Sequence, residues 1–164
     1  MIRSLPFIFT LLASNIVHAE TLSSRVDTRE GLLTIETVLE QGSPVHGQQT
    51  YAINEKKLGT SMLYAPTAEL IGSDKNAVYV LVKGATGGSG CHEVMSVVKI
   101  SQGKGEFSEA LNACGGLQSV DFDDGVTTLT VLERDERTKT IYQVIDSKVI
   151  ENGKVKKDGF SFLE

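Results

Sequence analysis

The sequence predicts an all-β domain: a meander of about three repeated hairpin units, folded into a sandwich or a small closed sheet and stapled by one disulfide. Three observations carry that expectation. Apolar residues recur at a period of two in short runs, and no long stripe repeats at the helical period. Turn residues punctuate the runs, as at Gly42-Ser43-Pro44, Asp123-Asp124-Gly125 and Asn152-Gly153. The chain holds two cysteines, Cys91 and Cys114, which in an oxidising compartment allow one intramolecular bridge.

The compartment is read from the start of the chain. Residues 1–19 have the form of a secretory signal: Arg3, an apolar stretch from Pro6 to Ala13, and a small-residue cleavage site at Val17-His18-Ala19. Residues 20–164 are then a single β-rich domain, periplasmic or secreted. The apolar stretch is shorter than the ~20 residues of a membrane span, and no cysteine stands at the cleavage point to take a lipid anchor. The formal charge of −5 becomes one unit more negative without Arg3, and acidic and basic residues are interspersed. Such a surface is a poor match for nucleic acid or anionic membrane.

The elements follow in order. Leu32 to Leu39 reads as the first strand, with Leu33, Ile35 and Leu39 on one face and Glu36 on the other. Gln49 to Asn54 is the second. Met62 to Leu70, interrupted by Pro66, fits either a short helical turn or an edge strand. Ala77 to Val82 is apolar on both faces, the pattern of a central strand covered on both sides. Val94 to Ser101 follows, with Val98 and Ile100 inward. Phe107 to Cys114 reads as strand or helical turn, and Asp121 to Gly125 as a turn. Val126 to Glu133 and Thr140 to Asp146 flank a charged loop, and Asn152-Gly153 offers a last hairpin.

Laid over one another, these segments form a repeat of about 45 residues. The first strands are Leu32–Leu39, Ala77–Val82 and Thr127–Leu132, each preceded by an acidic turn. In the second strands Tyr51, Val98 and Tyr142 align, then Ile53, Ile100 and Val144, then Lys57, Lys104 and Lys148. Propeller-like blades are the alternative arrangement of such units, although a closed propeller needs at least four. Any alternating chain also aligns with itself to some degree, so the repeat is an expectation for strand register to test.

Candidate site residues gather around Gly87-Gly88-Ser89-Gly90-Cys91-His92-Glu93. The run lacks the Lys-Ser/Thr that a phosphate-binding loop needs, and Cys91 stands where a nucleophile elbow requires Gly. His92 and Glu93 are adjacent and so point to opposite faces of a strand. A metal site built from Cys91, His92, Cys114 and His46 lacks the short ligand spacings of zinc sites. Asp121, Asp123 and Asp124 lack the distal Glu of a calcium loop. The reading is therefore no catalytic residue, no metal and no cofactor. Gly87, Gly88, Ser89, Gly90, His92 and Glu93 are candidates for a binding loop beside the disulfide. Tyr51, Tyr64, Tyr79 and Tyr142 read as packing residues.

The stretch from Ala77 to Leu132 resembles small exported bacterial β-proteins in which a Gly-Gly-x-x-Cys loop pairs with a later cysteine ahead of a hairpin. Where those families carry Pro and an aromatic after the first cysteine, this chain has His92, Glu93 and Met95. The class includes immunity proteins and lysozyme inhibitors, and by that analogy the expected function is a periplasmic module that binds another protein, such as a basic toxin or wall hydrolase. The alternatives are an envelope hydrolase using Ser89 or His92, and a structural or sensory envelope module.

Overall fold

The computed structural model describes residues 21–40, 46–87, 90–156 and 161–163. The expected signal, the Gly42-Ser43-Pro44 turn, Gly88, Ser89 and Phe160 lie outside the described residues. The strands in chain order are β1 (Thr21–Thr28), β2 (Gly31–Leu39), β3 (His46–Ile53), β4 (Lys56–Ser73), β5 (Val78–Ala85), β6 (Glu93–Ser101) and β7 (Lys104–Phe107). They continue with β8 (Leu111–Ala113), β9 (Leu117–Asp123), β10 (Val126–Leu132), β11 (Lys139–Ile145), β12 (Lys148–Glu151) and β13 (Lys154–Val155). In one antiparallel sheet β1 to β7 pair consecutively and β8 joins through β6; β9 to β13 form a second meander. Among the described residues neither sheet closes into a barrel, so the expected sandwich is formed and the closed sheet is not.

Strand register upholds the repeat. The β2–β3 hairpin pairs Leu33 with Ile53 and Ile35 with Tyr51. The β5–β6 hairpin pairs Val78 with Ile100 and Val80 with Val98, and β10–β11 pairs Thr127 with Val144 and Leu129 with Tyr142. All of these side chains are buried, so the aligned positions occupy equivalent places in each unit. The lysines fit less well: Lys56, not Lys57, holds the place of Lys104 and Lys148 as first residue after the turn.

Tight turns set these registers. Asn54-Glu55, Gln102-Gly103, Asp124-Gly125, Asp146-Ser147 and Asn152-Gly153 all have positive φ at both central residues, the backbone whose twist matches a two-residue hairpin. Asn54 reinforces its turn from outside: its side-chain oxygen accepts the Leu32 N–H at 2.9 Å, and its own N–H donates to Leu32 O. Asn152 makes the same pair of bonds with Ile141.

The units stack face to face. β4 pairs with β3 over its first half and with β5 over its second, and the change comes at Ala65 (φ 44°) and Pro66, where the register shifts. The large sheet turns there, and its two halves enclose one core. Leu33, Ile35, Tyr51 and Ile53 meet Val78, Val80, Val98 and Ile100 in it. Phe107 and Phe162 stack at 5.7 Å and both meet the Tyr51 ring edge-on. The opposite face of β5 and β6, carrying Tyr79, Leu81, Met95 and Val97, packs on Leu129, Val131, Tyr142 and Val144 of the second sheet. Val78 to Val82 are therefore buried without interruption, as expected of a doubly covered strand.

Three expectations are corrected. Met62 to Leu70 contains neither a helical turn nor an edge strand of its own; it lies inside the 18-residue β4, because Pro66 falls at the register shift, where no ladder N–H is required. Asp121 to Gly125 is a turn only at Asp124-Gly125, the rest belonging to β9. The first strand of the domain is β1, ahead of Leu32, with alternation too polar to declare itself.

Cys91 and Cys114 are bonded, tying the start of β6 to the end of β8, where Glu93 pairs with Ala113. Reduction of this bridge is expected to lower stability by roughly 3 kcal/mol, as a chain-entropy argument gives for a loop of this length. Leu81→Ala, fully buried between the second sheet and the first, should cost about 2–5 kcal/mol. Both are read from urea unfolding, with exposed Leu22→Ala expected to stay within about 0.5 kcal/mol.

Candidate functional site

The sequence-predicted loop is placed as follows. Gly87 (φ +74°) lies against the Tyr64 ring so closely that a Cβ would stand 2.0 Å from it, and Thr86 Oγ1 donates to Cys91 O at 3.4 Å. Gly90 is exposed and an added Cβ would meet nothing within 4 Å. Glu93 is half-buried at the start of β6. His92 is exposed and meets no carboxylate among the described residues, so no acid–base pair is assembled on it. Both cysteines are consumed by their mutual bond, and no group of three or more His, Cys, Asp or Glu among the described residues could hold a metal ion.

A larger concavity among the described residues lies elsewhere. A groove of about 630 Å³ runs over the outer face of the first unit, opposite its core. Its place follows from strand alternation. With Leu33, Ile35, Tyr51 and Ile53 turned inward, Thr34, Glu36, Thr50 and Ala52 must turn outward. Register then sets Arg25 beside Thr34 and Lys57 beside Ala52. Leu32, Asn54 and Glu55 complete the lining. Arg25, Glu36, Glu55 and Lys57 are exposed and form no ion pair with a described residue. The volume is within the range of ligand sites, but the lining is polar and charged rather than aromatic. Such a surface can hydrogen-bond and ion-pair; it contains no nucleophile with an adjacent base.

Below this groove, a buried polar cluster holds the inner face of β3 and β4. Gln49 Nε2 donates to Gly47 O and Leu63 O, both at 2.8 Å, and its Oε1 accepts from Leu63 N and Ser61 Oγ. Ser61 in turn shares a 2.8 Å bond with the Tyr51 hydroxyl, whose pKa burial pushes up to about 12. The cluster satisfies backbone groups of Gly47 and Leu63 on the inner side of the strands that floor the groove.

The acidic turns serve architecture. Asp74 accepts from Asn76 N at 2.7 Å, Ala77 N at 2.8 Å and the Tyr79 hydroxyl at 2.8 Å, and these bonds, the Asn76 N–H foremost, hold its carboxyl below the usual range. Burial, helped by Asp74, pushes the Tyr79 hydroxyl up. Arg29 donates to the carbonyls of Asp74 and Ala77, joining the leading turns of the first two units. Lys99 Nζ meets Asp146 Oδ1 at 2.5 Å, joining the second unit to a turn of the third.

Tyr51, Tyr79 and Tyr142 are core residues, as expected, while Tyr64 is half-buried beside Gly87. The groove is not marked by any one stretch of the sequence. Its only signal was the polar residues at alternate positions of β2 and β3, and the strand that supplies Arg25 was itself missed. No helix among the described residues is long and apolar enough to cross a membrane. Comparison with protein-family models, with curated proteins and with solved structures finds no match for this chain.

Because Asp74 has a folded-state pKa below that of the unfolded chain, its bonds stabilise the fold above the ordinary carboxylate range, and that contribution is lost as pH falls through the folded value. Asp74→Asn is therefore expected to be less stable than the parent at neutral pH and to lose less on acidification. Unfolding midpoints measured between about pH 7 and pH 2 check both expectations. A variant whose acid limb keeps the parent's slope would count against the assignment.

Proposed function

We propose that this chain is an exported binding module, periplasmic in setting and inhibitor- or immunity-like in action, whose partner is another protein. The observation that carries the reading is the first unit's groove: a sheet floor bearing two cations and two carboxylates with no ion-pair partner among the described residues. Its backbone bonds are used up within the sheet, so recognition falls to side chains. Glu36 and Glu55 accept from lysine or arginine of a partner segment, Arg25 and Lys57 meet its carboxylates, and Thr34, Thr50 and Asn54 bond its amides. Charges of both signs suit a polypeptide better than a uniformly anionic polymer.

The setting is supported by the disulfide, which persists in oxidising compartments, and by the signal-like residues 1–19. The net negative charge favours encounter with a basic partner and raises its association rate at low salt. The Gly87 to Glu93 loop, anchored by the same disulfide, is a second contact region in this reading.

A photo-crosslinking amino acid at position 57 tests the proposal in cells that export the protein. The expected result is one specific protein adduct in the envelope fraction, reduced about tenfold by Glu36→Lys. The same crosslinker at position 137, in the exposed loop between β10 and β11, should give no such adduct. No adduct from position 57, together with unchanged toxin and lysozyme sensitivity on deletion, would overturn the reading.

A further inference from the structure

The two ends of the stack are unlike. The outer face of the first unit carries the charges of the groove, with Val38 exposed beside Glu36. That of the third carries aliphatic side chains: Val126, Ile141, Ile145 and Ile150 alternate with the buried residues of β10, β11 and β12, and Val155 continues the patch onto β13. Ile141 is 47% exposed and Val155 65%. Their turned-out position is fixed by register, since Leu129, Val131, Tyr142, Val144 and Val149 take the inward places.

Charged residues flank the aliphatic ones on this face. One row across the sheet, read from strand pairing, is Asp123, Val126, Ile145 and Lys148, on β9, β10, β11 and β12. Asp123 and Lys148 are exposed, and neither has an ion-pair partner among the described residues. They cannot meet within one chain, because three strand spacings of about 4.8 Å separate them by roughly 14 Å. The row is self-complementary under a two-fold axis parallel to the strands and midway between β10 and β11. That operation lays Val126 on Ile145 of a second copy, and Asp123 on its Lys148, twice over. In the next row it sets Thr128 against Gln143 and, at the margins, exposed Asp121 against Ile150.

We propose that the outer face of the β9–β13 sheet is a homodimer interface, with Val126 and Ile145 at its centre and reciprocal Asp123–Lys148 pairs at its margins. The contact is a third sheet-on-sheet packing, of the kind the chain already makes twice within itself. A face about 20 Å on each side corresponds to roughly 800–1,200 Å² buried over both copies, the size of a reversible association rather than an obligate one. This interface leaves the first unit's groove open on the opposite end of each copy.

Sedimentation velocity of the disulfide-bonded protein, from about 1 µM to 1 mM in low salt, tests the proposal, since exposed charge pairs are screened at high salt. A monomer–dimer equilibrium is expected. Asp123→Lys and Lys148→Asp should each raise the dissociation constant about tenfold, and the double exchange should bring it back to within about threefold of the parent. Both positions are exposed, and circular dichroism checks that each variant is folded. A monomer throughout the range overturns the proposal. So does a dimer indifferent to the single reversals, or a double exchange no better than the singles.

Discussion

Burial of β5 and β6 on both faces is the constraint on which the rest of the structure depends. Each strand offers one apolar face to the first unit and the other to the third, so the two cores share a wall only one sheet thick. A polar residue at either set of positions would open one core to water. The exceptions are self-satisfied: Ser96 and Ser108 bond each other and the neighbouring backbone. The middle unit therefore forgoes an outer surface, and whatever the protein presents to the outside comes from the terminal layers and the loops.

The turns at one end reinforce that arrangement. Asp74 is its hub, closing its own turn, holding the Tyr79 hydroxyl and accepting Arg29 through its carbonyl. Gly125 of the third unit packs against it so closely that a Cβ would stand 3.2 Å from both the Asp74 carboxylate and the Tyr79 hydroxyl. The acidic turn before each first strand is thus part of how the units are joined. At the other end the work is done by Ala65 and Pro66, where β4 leaves one partner strand for the next.

Much of this was legible in the sequence. The aligned trios Tyr51, Val98, Tyr142 and Ile53, Ile100, Val144 occupy equivalent paired positions, and the unbroken apolar run from Val78 to Val82 announced the central strand. The disulfide followed from two cysteines and a signal-like start. β1 was hidden because Ser23, Ser24 and Arg25 interrupt its apolar pattern, and β9 because Asp121 and Asp123 mimic a turn while pointing to the outer face of a strand. The groove could not be found from one strand at a time. Arg25, Glu36 and Lys57 are far apart in the chain and converge only through three strand pairings and the curvature of the sheet. The loop around Cys91 stands out in the sequence by its glycines, whereas the groove's charges are scattered along the chain.

The middle unit is the wall between the two cores, covered on both faces. Amide hydrogen exchange measures this most directly. The N–H groups of Val80, Val82, Val97 and Val98 should exchange slowest in the protein and only through global unfolding, with β1 and β13 exchanging orders of magnitude faster. If β5 and β6 exchange as fast as those outer strands, or if the second sheet opens without exposing them, the stack is not the cooperative unit described.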